Sequence, residues 1–415
     1  MTRKPYDWED GAALGEHSKR KHKILREYLS EYLAVRCRIP QQTRFRIAIV
    51  DGFCGAGRYS DSSPGSPLIF LETLRTVTQE INVRRSVEKM ATIEFECVLV
   101  FNDFNQDVVE ALKKNIASEI EHCRHINHLT INTHFMSLPF VEAYKSMRSV
   151  LNRHRVTRNV FFNLDQYGNS HVPQDILKDI LVTYQSAEVL LTLSSQSLIT
   201  FLPKSDLDKT QKLLGRHGVS FQQLRDAVEG KSGREQKGVF EQLVFESYKE
   251  CAPFVSPFAI NNPTGWQYWL LHLANEPKAR QVYNNILHAN AQTQGHYGRA
   301  GLHMLSYDPS LEIQDYLFTA LDRERAFAEL YDDIPNVVSE FGNSVSLGEF
   351  FQSISNETPA HSDDIAKAII ENPDLTVFTE KGGKRRTYNT LKESDTLILD
   401  SQRSFTLLPK LITEN

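Results

Sequence analysis

Short apolar runs alternate with longer amphipathic stretches along the first half of the chain. The runs at 45–50, 95–101, 159–164 and 189–195 are rich in Val, Ile, Leu and Phe and read as buried strands, and the more polar 129–135 reads as the third strand between them. Between them the apolar positions fall at helical spacing. Ile24, Leu25, Tyr28, Leu29, Tyr32 and Leu33 mark a helix before the first strand; Leu68, Ile69, Leu71 and Leu74 mark the next. Val108, Val109, Leu112 and Ile116 mark a third, and 140–151 a fourth. Ser66 reads as an N-cap with Pro67 at the first helical position. Strands alternating with helices in this way predict an α/β fold with a parallel, doubly wound, Rossmann-like sheet.

The pattern then changes. Residues 203–250 are polar and helical and read as an insertion or lid. Residues 254–260 and 266–273 read as a sixth and seventh strand, antiparallel, with Trp266 and Trp269 in the core. An amphipathic helix is expected at 278–289 and a linker at 296–301. Beyond it, helices are expected at 310–330, 346–355 and 362–371, the second opened by a Ser346–Glu349 capping box. Strands at 376–379 and 395–399 flank a basic Gly-Gly tip, a winged-helix-like order. This divides the chain into an N-terminal basic helix (1–40), a Rossmann-like domain (41–295) and a helical, winged-helix-like C-terminal domain (305–415).

Composition narrows the class. The chain has 415 residues, 40% hydrophobic and 24% charged, with a net charge of −5. It is long enough for two or three domains, and any nucleic-acid contact must use a local basic patch. Two patches qualify: Lys19, Arg20, Lys21 and Lys23 at the start of the first helix, and Lys381, Lys384, Arg385 and Arg386 at the tip. The first reads equally as a solvated helix face or as a phosphate-contacting edge. The five cysteines are scattered with no CxxC pair, which suits a reducing, cytoplasmic compartment and gives no metal site. No apolar run reaches membrane-spanning length and the N-terminus lacks the apolar core of a signal peptide.

The chemistry concentrates where strands end. After the first strand comes Asp51-Gly52-Phe53-Cys54-Gly55-Ala56-Gly57-Arg58-Tyr59. Its glycines permit a sharp turn and close approach of a ligand, and Asp51 stands where open α/β sheets bind ligands. An ordinary strand–helix turn is the alternative. Asn102-Asp103 follows the second strand, where a ribose-binding acid is expected; a helix N-cap is the alternative. It lies roughly fifty residues after the glycine turn, against the usual twenty or so, which implies an inserted segment at 79–92. Asn163-Leu164-Asp165-Gln166-Tyr167 ends the fourth strand, and Asp165 reads either as a functional acid or as a turn cap.

Asp51-x-Phe53-x-Gly55-x-Gly57 resembles motif I of class I S-adenosylmethionine-dependent methyltransferases, and 163–168 resembles their motif IV. The ordered set of the Lys-rich helix, the glycine turn, Gly65-Ser66-Pro67-Leu68, Asn102-Asp103 and Phe-x-x-Asp-x-Tyr-Gly resembles the three-Cys-motif partner (TcmP) family over about residues 15–290. The resemblance implies S-adenosylmethionine as cofactor, held by Asp51, Phe53, Gly55, Gly57, Asn102 and Asp103. It implies that Asp165, with Asn163, faces the methyl group, and that Tyr167 stacks on a planar acceptor. Nucleic acid is the expected substrate, with a partner protein possible and no membrane partner. The sequence departs from the Asp/Asn-Pro-Pro-Tyr segment of adenine-N6 enzymes: Gln166 stands where a proline would. A binding subunit that supports a partner without catalysis is therefore the second reading. A nicotinamide-dependent dehydrogenase ranks last because the first turn lacks GxGxxG.

Overall fold

The computed structural model describes residues 12–166, 171–193, 211, 214–215, 217–231, 233–257, 259–261, 267–290, 296–297, 302, 315–316 and 319–400. Helix α1 (Glu16–Arg36) precedes β1 (Arg44–Asp51), α2 (Ser66–Val87), β2 (Glu94–Asn102), α3 (Gln106–Arg124), β3 (Leu129–Met136), α4 (Phe140–Arg153), β4 (Asn159–Leu164), α5 (Gln174–Thr183) and β5 (Ser186–Leu193). Helices α6 (Phe221–Val228) and α7 (Gly233–Lys249) follow, then β6 (Phe254–Ser256), β7 (Ala259–Asn261), β8 (Gln267–Ala274) and α8 (Pro277–Ala289).

The strand order is β3-β2-β1-β4-β5-β8-β6, with β7 beside β8. β1 to β5 are mutually parallel and β8 runs antiparallel between β5 and β6. This is a mostly parallel sheet flanked by helices, compatible with a Rossmann-like fold. Pairs Ser256↔His272 and Ala259↔Trp269 keep one register, so β6 and β7 are a single line of pairing interrupted at Pro257. Proline has no N–H to give the ladder.

Alternate strand residues feed two cores. Ile47, Ile49, Leu99 and Phe101 face α1, α2, α3 and α8. Ala48, Val50, Val98 and Val100 face α4 and α5. The inserted helices add Leu224, Val244, Phe245 and Tyr248 to this second core, so they are packed elements of the domain.

Three sequence expectations change. Helix α2 continues unbroken to Val87, so the long spacing between the glycine turn and Asp103 comes from helix length rather than an inserted segment. Its N-cap is Gly65, placing Ser66 and Pro67 one position further in than expected. The helix expected at 310–330 is α9 (Ala320–Glu340), opened by a Thr319–Asp322 capping box. Within 310–318, Asp315–Tyr316 (β10) pairs with His296–Tyr297 (β9).

The C-terminal part contains α9, β11 (Ser344–Ser346), α10 (Leu347–Ile354), α11 (Ser362–Glu371), β12 (Leu375–Phe378) and β13 (Thr396–Leu399). Its antiparallel sheet has the order β11-β13-β12. Its apolar side chains, among them Leu330, Ile334, Phe350 and Ile369, belong to the same core as α1 and α2. No described helix is long and apolar enough to cross a membrane.

Candidate active site at the carboxyl edge of the sheet

Strands β1 and β4 are adjacent, yet the chain turns outward in opposite directions from them. That is a topological switch point, where the connecting segments diverge and leave a crevice at the carboxyl ends of the strands. Asp51 and Asn163 face each other in register across it.

Asp51 is fully buried. Its Oδ1 accepts a hydrogen bond from Asn163 Nδ2 at 3.1 Å, and its Oδ2 has no hydrogen-bond partner among the described residues. Burial pushes its carboxyl up to about 7; Ser66, Asn163 and the Phe53 amide pull the other way, and the charge of Asp165 adds to the rise. Ser66, expected as a cap, thus faces Asp51 instead.

Asp103 closes the crevice on the β2 side. Its Oδ1 accepts from the Asn105 amide at 3.1 Å and its Oδ2 from the Gly55 amide at 3.2 Å. Burial raises its pKa against those amides. The N-cap of α3 is Asn105, so Asp103 is not the helix cap. Asn102 is buried and braces the loop: its Nδ2 donates to the Gly52 and Leu138 carbonyls, and its Oδ1 accepts from the Leu138 amide.

The glycine turn has left-handed backbone at Gly55 (φ 60°) and Gly57 (φ 76°). A Cβ on Gly57 would lie 2.5 Å from Leu112 Cδ1 on α3. Helix packing and backbone conformation therefore demand glycine there, independently of any ligand. Phe53 stacks on Phe140 with ring centroids 5.3 Å apart.

The fourth strand delivers Asp165, and here the structure joins what the sequence kept apart. Helix α1 runs antiparallel to β4: Arg36 at its end bonds Asn159 at the start of the strand, and Lys21 reaches the carboxyl end. Lys21 Nζ lies 2.5 and 2.6 Å from the two Asp165 oxygens. Lys21 is 8% exposed. It is thus no surface phosphate contact, as the basic run implied, but the counter-ion of Asp165. Burial by itself would raise the Asp165 carboxyl; the Lys21 charge and hydrogen bonds, with Thr192 and His22, hold it below its ordinary value. His22, beside Tyr59, is pushed down to about 4 by burial and by Lys21.

Gln166 is buried and structural. Its Nε2 donates to the Thr192 carbonyl on β5, and its Oε1 accepts from the His171 and Val172 amides. A proline could make none of these bonds. Tyr167 lies outside the described residues.

The remaining basic residues sit as follows. Lys19 pairs with Glu16 at 2.7 Å, Lys23 lies 3.7 Å from Glu27, and Arg20 is half-buried. At the C-terminal tip Lys381, Lys384 and Arg386 are exposed, whereas Arg385 pairs with Asp395 at 2.8 Å. Among the described residues no cluster of three or more His, Cys, Asp or Glu could hold a metal ion. No protein-family model matches the chain, and no curated protein matches it.

Proposed function

We propose that the crevice between β1 and β4 binds S-adenosylmethionine and that the protein is methyltransferase-like, of the three-Cys-motif partner type, acting on nucleic acid. The observation that carries this reading is Asp51. A buried carboxylate oxygen without a partner is costly, on the order of 1–3 kcal/mol or more for a charged group. At a switch point it fits the ammonium of an amino-acid moiety. Asp103, beside Gly55, would take the ribose hydroxyls in exchange for its backbone bonds. The single antiparallel β8 near the sheet's end agrees with the closure expected of a class I methyltransferase. Methyl transfer needs in-line approach more than acid or base strength, so the residues' task is positioning.

In this reading the C-terminal part is a winged helix whose basic hairpin meets the polymer. Helix α11 opens with Asp363 and Asp364, and Asp364 is paired with Arg323, which disfavours this helix as a groove reader.

Titration calorimetry with S-adenosylhomocysteine tests the assignment. Saturable binding is expected, weakened by about 1.5–3 kcal/mol in Asp103→Ala, the scale of a charged hydrogen bond. Tight NADH binding with no response to the homocysteine product would favour a dehydrogenase. The binding-subunit reading is favoured by the neutralised Asp165. It wins if the product analogue binds but labelled methyl donor transfers to no DNA, RNA or protein, with or without a co-purifying partner.

A further inference from the structure

Arg85 and Arg280 are both buried, and their surroundings differ. Arg85 on α2 is satisfied throughout: its N–H donors meet the carbonyls of Cys37, Ile39, Pro40, Gln42 and Ala91. Arg280, at the start of α8, is 4% exposed. Its side chain makes one hydrogen bond, from Nη2 to the Thr358 carbonyl at 2.8 Å, and its buried Nε has no partner among the described residues. No described carboxylate pairs with it. Burial pushes its pKa down to about 10, opposed only by the Tyr283 hydroxyl, so it stays a cation at neutral pH. The start of a helix adds positive potential of its own.

The seam around Arg280 holds other unanswered polar atoms. Ser256 on β6 and His272 on β8 are register partners, so their side chains share a face, and His272 stacks on Tyr283 of α8. This is the face that α8 covers. Ser256 Oγ and His272 Nδ1 are buried there without hydrogen-bond partners among the described residues, as is Asn284 Oδ1, one turn after Arg280. The other wall is the segment 358–360, whose carbonyls take Arg280 and Asn284. The acid of this neighbourhood, Glu188, is engaged on the far side of His272, at Nε2, and by Tyr28. A water could meet Arg280 Nε and Asn284 Oδ1 together, but it would leave the guanidinium charge without compensation. A small anion answers both the charge and the free donor.

We propose that the seam between β6, β8, α8 and the segment 358–360 binds a small inorganic anion of chloride size, with Arg280 Nε as its charged donor and the Ser256 hydroxyl as its neutral one. Ser256, His272, Arg280 and Asn284 are all buried, so the anion is small. Arg280 also holds Thr358, so the anion cancels a buried charge at the point where the C-terminal part meets the sheet. The site is separate from the crevice between β1 and β4 and does not depend on what that crevice binds.

The test is thermal melting of the full-length chain at neutral pH and fixed ionic strength, with chloride replacing gluconate, an anion too large for such a site. A saturable rise of a few degrees is expected, because an anion held only by the folded chain stabilises it by mass action. Ser256→Ala should raise the half-saturating chloride concentration about threefold to tenfold, the scale of one hydrogen bond. Arg280→Met removes the charge and should melt independently of chloride. Arg280→Gln, which keeps a donor for the Thr358 carbonyl and loses the charge, is the second variant should the first fail to fold. A flat wild-type curve, or an equal rise in a folded variant lacking the charge, overturns the proposal and leaves water as the partner of Nε.

Discussion

At the scale of single residues, Asp51 is the group whose environment is least ordinary. Its folded pKa, about 7, lies above the ordinary value of 3.8 because the carboxyl is buried. Between those two values the folded chain binds more protons than the unfolded one, so this residue's effect on stability becomes unfavourable as pH rises through the window. By pH 8 the cost reaches up to about 4 kcal/mol, since each tenfold change in proton affinity is worth about 1.36 kcal/mol. Asp51→Asn should therefore melt higher than the wild type at pH 8 and nearly level with it at pH 4. On the proposed reading the same substitution removes the anion that a cofactor ammonium would meet. Wild-type affinity for S-adenosylhomocysteine should weaken towards tenfold per pH unit below pH 7, and the Asn variant should show a flat, weak profile. A wild-type profile with no slope between pH 5.5 and 8 would show that Asp51 does not meet the ligand as an anion.

At the scale of elements, α1 is the organiser. Besides Lys21 it contributes Tyr28, whose hydroxyl is within hydrogen-bond reach of Glu188 on β5 and 2.8 Å from His272 Nε2 on β8. Tyr283 from α8 stacks on His272 at 4.6 Å. All of these side chains are buried, and burial holds His272 below its ordinary pKa and Tyr28 well above. A depressed histidine lets the unfolded chain take the proton first, so stability should fall as pH drops below 6.5. Tyr28→Phe removes a buried hydrogen bond from Glu188, leaving it only His272 at 3.5 Å among the described residues, and should cost about 1–3 kcal/mol in denaturant unfolding. A loss under about 0.5 kcal/mol, within the ordinary surface range, would mean that α1 is held by its apolar face alone. The sheet was legible in the sequence because β1, β2, β4 and β5 are rich in apolar residues and β3 alternates apolar with polar ones, and Asp51, Asp103 and Asp165 were legible because each follows an apolar run. Partnerships were not. Helical spacing puts Lys21, three positions before Ile24 and seven before Tyr28, on the buried stripe of α1 and leaves Lys19 and Lys23 off it; that its partner is Asp165 comes only from the helix–strand packing. Likewise the steric demand at Gly57 was not legible, because the neighbour that sets it, Leu112, lies on another helix. The Thr319–Asp322 cap was legible in principle, since a threonine followed three positions later by an acid marks a helix start.

At the scale of the whole molecule, the C-terminal part is docked rather than tethered. The segment 356–360 lies along β6 and α8. Asn356 accepts from the Val255 amide and donates to the Pro253 carbonyl. Arg280, Asn284 and His288 of α8 bond the carbonyls of Thr358, Ala360 and Pro359. The C-terminal part, basic hairpin included, is thereby fixed relative to the sheet. The hairpin's charges are not equivalent. Lys381 and Arg386 are exposed, Lys384 Nζ lies 3.1 Å from Thr376 Oγ1, and Arg385 holds Asp395, which is 1% exposed. Each phosphate neutralised adds roughly 0.7–0.9 to the slope of log affinity against log salt, according to strandedness. Lys381→Ala and Arg386→Ala should therefore each flatten that slope by nearly one and weaken all sequences alike. Arg385→Ala should act differently. It leaves a buried carboxylate without its cation, so the melting temperature should fall and binding should be lost through the fold. Fluorescence anisotropy over a salt series, with a melting curve for each variant, reads both effects. An unchanged slope in a folded Lys381→Ala/Arg386→Ala double variant would remove the hairpin from the nucleic-acid contact and leave it as a surface for a protein partner.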